Sequence, residues 1–319
     1  MHYRNDRMKT YHFALLFFPA LCSCSQEGSR DSMQHEIVEE RLQDLTQKLT
    51  SLETTDSLDS FLQFYDEHAI VMPEYQLTLH GQEEIKSFYR EIFNRQNIVT
   101  FQRQTHEFIH LDSTVVEIGI FRKEFTDPKA DSLISLRGKY WMVWQNQPDG
   151  NFKLKGESFG FFHSVEHPES LIVPMGKTQP DESDLKLERD TPFELKAYNA
   201  LMEKGVRTRD GNLRSQFFTK DGSVYPFADT TVTGIDRIKP YLIAYSSRGA
   251  ITIDSIMCYT YEFETHGEYV LEYDMFKVKW SVPNYSGRTE GKGIRIWKRQ
   301  EDNSLRLYRE IGTHNHLQQ

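Results

Sequence analysis

The chain has 319 residues, 38% of them hydrophobic and 13% aromatic, with a formal charge of −9. That length suits about two ordinary domains, and an acidic chain without a basic stripe excludes nucleic acid as the expected partner. The cysteines are Cys22, Cys24 and Cys258, so the body of the chain keeps one thiol, which excludes an intrachain disulfide framework and a cysteine-rich zinc site there.

The N-terminus reads as an address. Arg4, Arg7 and Lys9 outweigh Asp6 and make it basic, and the apolar run Tyr11 to Leu21 (YHFALLFFPAL) that follows is too short to span a bilayer. The run ends in Leu21-Cys22-Ser23-Cys24, which resembles a bacterial lipobox. The resemblance implies that 1–24 is a lipoprotein signal ending at Cys24, that Cys24 is the lipidated residue, and that the membrane is a partner through this anchor. Ser25 in the next position is not the Asp that commonly retains lipoproteins at the inner membrane. That points to the bacterial cell envelope, and to the outer membrane within it, at its periplasmic or surface face. Residues 25–35 (SQEGSRDSMQH) are polar and predict a flexible tether.

In copy one, Leu42, Leu45, Leu49 and Leu52 recur at helical spacing, followed by Leu58, Phe61, Leu62 and Tyr65, and then by Ile85, Phe88, Tyr89 and Ile92. The texture then changes to β-branched and aromatic runs at Val115 to Phe121, Leu133 to Trp144 and Phe152 to Phe162, with Pro148-Asp149-Gly150 as a hairpin signal. An offset of 153 residues repeats much of this. Gln63-Phe64 falls on Gln216-Phe217, Val71-x-Pro73 on Val224-x-Pro226, Gly81 on Gly234, Gly138-Lys139 on Gly291-Lys292, Trp144 on Trp297 and Glu157 on Glu310. One register held over a hundred residues is an internal duplication. The Pro- and charge-rich stretch between the copies predicts a linker over 164–190, leaving domains at 36–163 and 191–316. Helices followed by a meander predict an α+β fold with helices on one face of each sheet.

The ordered set Phe64-Tyr65, Ala69, Val71, Pro73, Gly81, Gly138-Lys139-Tyr140, Trp144 and Asp149-Gly150 resembles the nuclear transport factor 2-like (SnoaL-like, ketosteroid isomerase-like) superfamily. The resemblance covers 36–163 and 191–316, although copy two replaces Tyr65 by Phe218, Ala69 by Gly222, Tyr140 by Gly293 and Gly150 by Asn303. It implies two cone-shaped domains, each a curved antiparallel sheet wrapped around three N-terminal helices and leaving an apolar pocket. Members commonly pair through the outer sheet face, which implies an intramolecular pseudo-dimer in a monomeric chain. The isomerase's own groups fall on Met72 and Tyr225, Leu49 and Met202, and Met142 and Arg295. No base or oxyanion donor of that kind survives in either copy, so isomerase chemistry is disfavoured.

If Met142 and Arg295 face inward, strand alternation turns Tyr140, Trp144 and Trp297 inward too, and across the hairpin Lys155, Glu157, Phe159, Tyr308 and Glu310. With Tyr65, Met72 and Tyr225 these complete the expected pocket set. Glu157 and Glu310 are the candidate catalytic carboxyls, and the bland reading of each is a cross-strand polar contact. Tyr140 is expected opposite Glu157, and Arg295 opposite Tyr308 and diagonal to Glu310. Copy two alone is expected to carry a pocket arginine. Glu117 and Glu272 are expected at solvent or at the domain interface. His163, His314 and His316 are read as surface histidines, and neither a metal nor a cofactor is expected.

The leading functional expectation is a membrane-tethered binding module for a small apolar or amphipathic ligand. An enzyme of cyclase, dehydratase or hydrolase type using a pocket Glu, and a protein-binding scaffold, remain alternatives, because fold alone does not give function.

Overall fold

The computed structural model describes residues 24–316 apart from 56, 128–131, 167 and 175–190. The signal segment before Cys24 and most of the second part of the linker therefore lie outside the described residues.

The first half runs α1 (Cys24–Thr54), α2 (Leu58–Leu62), β1 (Tyr65–Pro73), β2 (Leu79–His80), α3 (Gly81–Arg95), β3 (Asn97–Leu111), β4 (Thr114–Asp127), β5 (Ser132–Asn146) and β6 (Phe152–Phe161). The second half repeats the order as α4 (Phe193–Arg207), α5 (Gly211–Ser215), β7 (Phe218–Tyr225), β8 (Val232–Thr233), α6 (Ile235–Ser246), β9 (Thr252–His266), β10 (Tyr269–Val282), β11 (Tyr285–Arg299) and β12 (Leu305–His314). The fold is α+β, with one six-stranded sheet per half in the orders β2-β1-β6-β5-β4-β3 and β8-β7-β12-β11-β10-β9. The long strands pair antiparallel as expected, but β1 lies parallel to β6 and β7 parallel to β12, so each sheet is mixed. The extra strand β1 forms because the apolar run Ala69-Ile70-Val71-Met72, with β-branched Ile70 and Val71 at its centre, favours extended backbone, and α2 is only five residues long.

Periodicity locates the helices well. In α3, Ile85, Phe88, Tyr89 and Ile92 are all buried, and each such side chain contributes roughly 1.5–3 kcal/mol on burial. In α1 the buried stripe is Leu42, Thr46, Leu49, Thr50 and Glu53, rotated from the leucine pattern so that Leu45 and Leu52 are only half-buried. The expected tether 25–35 is instead the first part of α1. It contains no proline, and once a helix is nucleated each further residue adds a hydrogen bond. Gly81 and Gly234 open α3 and α6 at φ +72 and +86, backbone angles that side chains rarely adopt, which explains their repetition. The hairpin turn also forms as expected. Gln147 N–H donates to Asn151 O at 2.7 Å, and Gly150 takes φ 78.

The first part of the expected linker is not free chain. Gln76 Nε2 donates to Val173 O at 2.7 Å, Arg95 Nη1 donates to Ile172 O at 2.8 Å, and Leu171 and Val173 are buried.

One apolar cluster is shared by both sheets. It joins Ile70, Met72, Val116, Ile118, Trp141 and Val143 of the first half to Tyr259, Tyr261, Leu271, Tyr273, Ile294 and Ile296 of the second. The repeated Gly-Lys and Val-x-Pro motifs meet across it reciprocally. Lys139 Nζ donates to Pro226 O and, at 3.0 Å, to Asp229 O. Lys292 Nζ donates to Gln76 O and, at 2.7 Å, to Pro73 O. Each lysine thus uses its ammonium to satisfy carbonyls that close the opposite half's first strand, and both are almost completely buried.

Candidate functional site

The same polar triad is built once inside each half. In the first half Trp144 Nε1 donates to Glu117 Oε2 at 2.9 Å, and Thr105 Oγ1 donates to Glu117 Oε1 at 2.6 Å. In the second half Trp297 Nε1 donates to Glu272 Oε2 at 2.6 Å and Thr260 Oγ1 donates to Glu272 Oε1. Both carboxyls are fully buried. This corrects the expectation that Glu117 and Glu272 lie at solvent or at the interface. Their strands pack one face on the helices, and the glutamates fall on that face, where the indole and hydroxyl donors satisfy them. Thr46 of α1 adds a third donor to Glu117 at 2.7 Å, and Asn199 of α4 reaches Glu272 through Thr260.

Around these triads the halves diverge. In the first half Glu157 is fully buried. Its Oε2 accepts from Tyr65 at 2.6 Å and Tyr89 at 3.1 Å, and its Oε1 lies 3.8 Å from Arg103 Nη2. Burial raises the Glu157 pKa, with Arg103 opposing. Arg103 also donates to Glu53 Oε1 at 2.5 Å and to Thr50 Oγ1 at 3.0 Å. Burial pulls on its guanidinium, but Glu53 and Glu157 hold its pKa above the ordinary value. Tyr140 donates to Glu117 at 2.9 Å, and its ring lies over Gly119, where any Cβ would strike it.

In the second half that neighbouring pair is exchanged for Asp274 beside Gly293, cross-strand partners as Gly119 and Tyr140 are. The cation there is Arg295, which makes contacts of 3.0 Å to Asp274, 2.9 Å to Glu310 and 3.7 Å to Glu272. Burial still raises Asp274 to about 7 against the pull of Arg295. Three carboxyls therefore enclose this guanidinium, and nothing of its charge is left over for a ligand.

The first half holds a cavity of about 60 Å³ walled by Phe88, Tyr89, Phe121, Tyr140 and Phe159, with Phe101, Lys123, Leu136 and Leu171 also lining it. Four buried polar atoms of its lining residues lack a hydrogen-bond partner among the described residues: Glu74 Oε1, Gln96 Oε1, Arg103 Nε and Glu157 Oε1. Buried polar atoms without a hydrogen bond are rare in folded proteins, and here four of them belong to residues that line one space.

Tyr65, Tyr140, Met142, Trp144, Glu157, Phe159, Arg295, Trp297 and Glu310 lie on the helix-facing side. Met72, Tyr225 and Tyr308 do not. Met72 belongs to the cluster between the sheets, and Tyr225 and Tyr308 pack against it, Tyr225 edge-on to Trp141 at 5.4 Å. Alternation in β1 and β7 turns Met72 and Tyr225 outward. Tyr308 is the extra residue of a bulge, because Ile296 pairs with Arg309 while Trp297 pairs with Leu307. The same bulge in the first half makes Lys155 the extra residue, and it pairs with Glu264 of the other half. It also turns Leu305 and Leu307 into the core beside Trp297. Register shifts accordingly, with Met142 opposite Glu157, Tyr140 opposite Phe159 and Arg295 directly opposite Glu310. His163 and His316 are exposed, but His314 is half-buried and stacked on Phe227 at 3.9 Å.

Arg103, Glu53, Tyr89 and Gln96 were not in the expected set, and the pocket arginine expected only in copy two has a first-half counterpart in Arg103. β3 carries no strong apolar alternation to announce it. Glu53 could have been found as the residue four beyond Leu49 on the α1 stripe.

No protein-family model and no curated protein matches the chain. Among solved structures it is similar to a ketosteroid isomerase-like protein from Erwinia carotovora at 8% identity, over 36% of this chain and 89% of that one, with a TM-score of 0.35. It is similar to an NTF2-like protein from Cytophaga hutchinsonii at 14% identity, over 39% and 98%, with a TM-score of 0.34. A putative aromatic ring hydroxylase from Novosphingobium aromaticivorans aligns at 15% identity over 42% and 96%, with a TM-score of 0.36. Each alignment spans about the length of one half.

Proposed function

We propose that this protein is a membrane-tethered binding protein whose first half takes the small ligand, while the second half is a structural partner. The observation that carries this reading is that four residues lining the aromatic cavity of the first half each hold a buried polar atom with no hydrogen-bond partner among the described residues. The enclosed space admits only a group of a few atoms. The ligand therefore inserts a small polar end and lays an apolar body along Phe101, Leu136 and Leu171 at the lining. Arg103 is already balanced by Glu53, and Glu157 and Glu74 are both pushed toward their neutral forms by burial. An anionic head would meet three carboxyl groups. A neutral head with both donor and acceptor capacity, such as a hydroxyl or a carboxamide, suits Arg103 Nε, Gln96 Oε1 and a protonated Glu157. Tethering rests on the lipobox-like Cys24, and it puts the protein in the bacterial cell envelope at the outer membrane.

A buried carboxyl with a raised pKa and one oxygen that accepts no hydrogen bond among the described residues also suits acid–base work, which keeps the enzyme reading as the alternative. Native mass spectrometry of the detergent-solubilised chain tests the proposal. The wild type carries a small neutral adduct, and Phe159→Trp, which fills the cavity, loses it while remaining folded. An adduct that persists in Phe159→Trp, or that is lost on substitution of Arg295 alone, overturns the assignment to the first half. A molecule chemically converted by the wild type but only bound by Glu157→Gln replaces binding with catalysis.

A further inference from the structure

The two flanks of the shared cluster differ, and the difference opens a second site. The offset that brings Glu117 onto Glu272 brings Ile118 onto Tyr273 and His106 onto Tyr261, while the 153-residue offset brings Gly156 onto Arg309. On one flank Tyr273 is fully buried with its hydroxyl over Gly156, where any side chain would collide. Tyr261 lies 6.2 Å from Tyr273 and packs edge-on to His80 at 5.8 Å. That flank is filled with aromatic rings. On the other flank Ile118 and His106 stand in their places, and a groove of about 780 Å³ remains between the halves. This is within the range of small-molecule sites, roughly 300–1,000 Å³.

The chemistry of the groove differs from that of the first-half cavity. Its floor is apolar at Ile118 and Tyr225, the latter held edge-on against Trp141. Arg309 is fixed at its edge by a two-point ion pair with Glu107 at 2.6 and 2.9 Å, so it shapes the wall without offering free charge. Arg137 also lines the groove, is exposed, and makes no ion pair among the described residues. The second half contributes the hydroxyls of Thr230, Thr231 and Thr233. A guanidinium without an ion pair among the described residues, a row of hydroxyls and an apolar floor in one groove of a chain with net charge −9 form a local exception to its acidity.

We propose that this groove binds a small, flat organic anion, its carboxylate on Arg137, its ring on Ile118 and Tyr225, and its remaining polar groups on the threonine hydroxyls. The site requires both halves, so the duplication itself creates it.

Calorimetry on the detergent-solubilised full chain with salicylate, and with neutral salicylamide as control, tests this. Salicylate is expected to bind saturably at millimolar concentration or below, with salicylamide at least about tenfold weaker. Arg137→Ala, a surface change, is expected to weaken salicylate by about tenfold, and Ile118→Tyr, which copies the filled flank, to abolish binding. Glu157→Gln leaves it unchanged, which separates this site from the first-half cavity. Absence of saturable binding, equal affinity for salicylamide, or indifference to Arg137→Ala overturns the proposal. If Ile118→Tyr loses its circular dichroism signature, Thr231→Tyr serves as the blocking variant, and retained binding there overturns the proposal equally.

Discussion

Arg103 Nη2 lies 3.8 Å from Glu157 Oε1, although Arg103 is on the edge strand β3 and Glu157 is on β6, three strands away in the sheet. Only a strongly curved sheet brings these strands together, so the pair spans the interior of the cone. In the second half the matching glutamate, Glu310, meets an arginine from the adjacent strand, directly opposite. The acid holds the same place in both halves, and the cation comes from a different strand in each. Cys258 now stands where Arg103 does, its thiol pushed up to about 12 by burial.

Replacing Arg103 leaves Glu53 and Glu157 buried without their cation. Arg103→Met is expected to cost about 3–5 kcal/mol of unfolding free energy. Adding Glu53→Gln and Glu157→Gln should restore much of it, because neutral partners no longer need the charge. Denaturant titration of the single and triple variants checks this. Equal loss in both would mean that Arg103 acts by packing alone.

The parts of the fold set by periodicity were legible in the sequence. The stripe Ile85, Phe88, Tyr89 and Ile92 forms α3 as read, and the repeat at Gly138-Lys139 and Gly291-Lys292 marks equivalent places. What the sequence concealed was the slip of one residue at Trp144 and Trp297. A bulge leaves no apolar signature, yet it exchanges the two faces of a strand beyond it. That single slip accounts for Tyr308 facing outward and Leu307 inward. Glu117 was misread for another reason. Its apolar neighbours Val116 and Ile118 look like a core face, but in a chain with two packed sheets both faces of β4 are buried. Arg103 went unseen because β3 carries few large apolar residues to reveal its alternation.

His314 supplies a pH dependence. Burial, and then the nearby Lys292, lower its pKa from the ordinary 6.5 to about 4. Between those values the unfolded chain binds the proton and the folded chain does not, so stability falls as pH drops from about 6.5 toward 4. Glu157, Glu74 and Asp274 act in the opposite direction, since burial raises each of them. The His314 contribution is therefore isolated by comparison with His314→Phe, which preserves stacking on Phe227. The wild type is expected to lose about 1–3 kcal/mol relative to that variant across the window. Parallel stability curves from pH 7 to 4 would remove His314 as the cause.

Cys24 carries the anchoring proposal. Cys24→Ala is expected to stall processing or to release the protein from the membrane fraction, and metabolic labelling with a palmitate analogue should mark the wild type only. A single acyl chain binds membranes weakly, so full retention needs the complete lipid modification. Label on Cys24→Ala, or unchanged membrane fractionation of a fully processed Cys24→Ala, would place the anchor elsewhere.

The reciprocal lysines predict how the halves pair in solution. Lys139 and Lys292 each lend their donors to carbonyls at the end of the other half's first strand, and the apolar cluster between the sheets lies alongside them. We propose that this face-to-face pairing holds within one chain, giving a compact monomer with approximate two-fold symmetry. The connection between the halves keeps the partner at high effective concentration, and an apolar face of that extent would not stay wet. Lys292→Ala removes the buried donor that Pro73 O, Gln76 O and Asn315 Oδ1 share, at a cost of about 2–4 kcal/mol. Lys139→Ala should cost about as much for the same reason. If both lysines act at one interface, the double variant loosens the pairing rather than unfolding either half. Solution scattering then shows a compact wild type and an extended, two-lobed double variant, while sedimentation shows one chain per particle in both. A wild type that is itself two-lobed, or that sediments as a stable dimer of chains, would mean that the outer sheet faces pair between molecules instead.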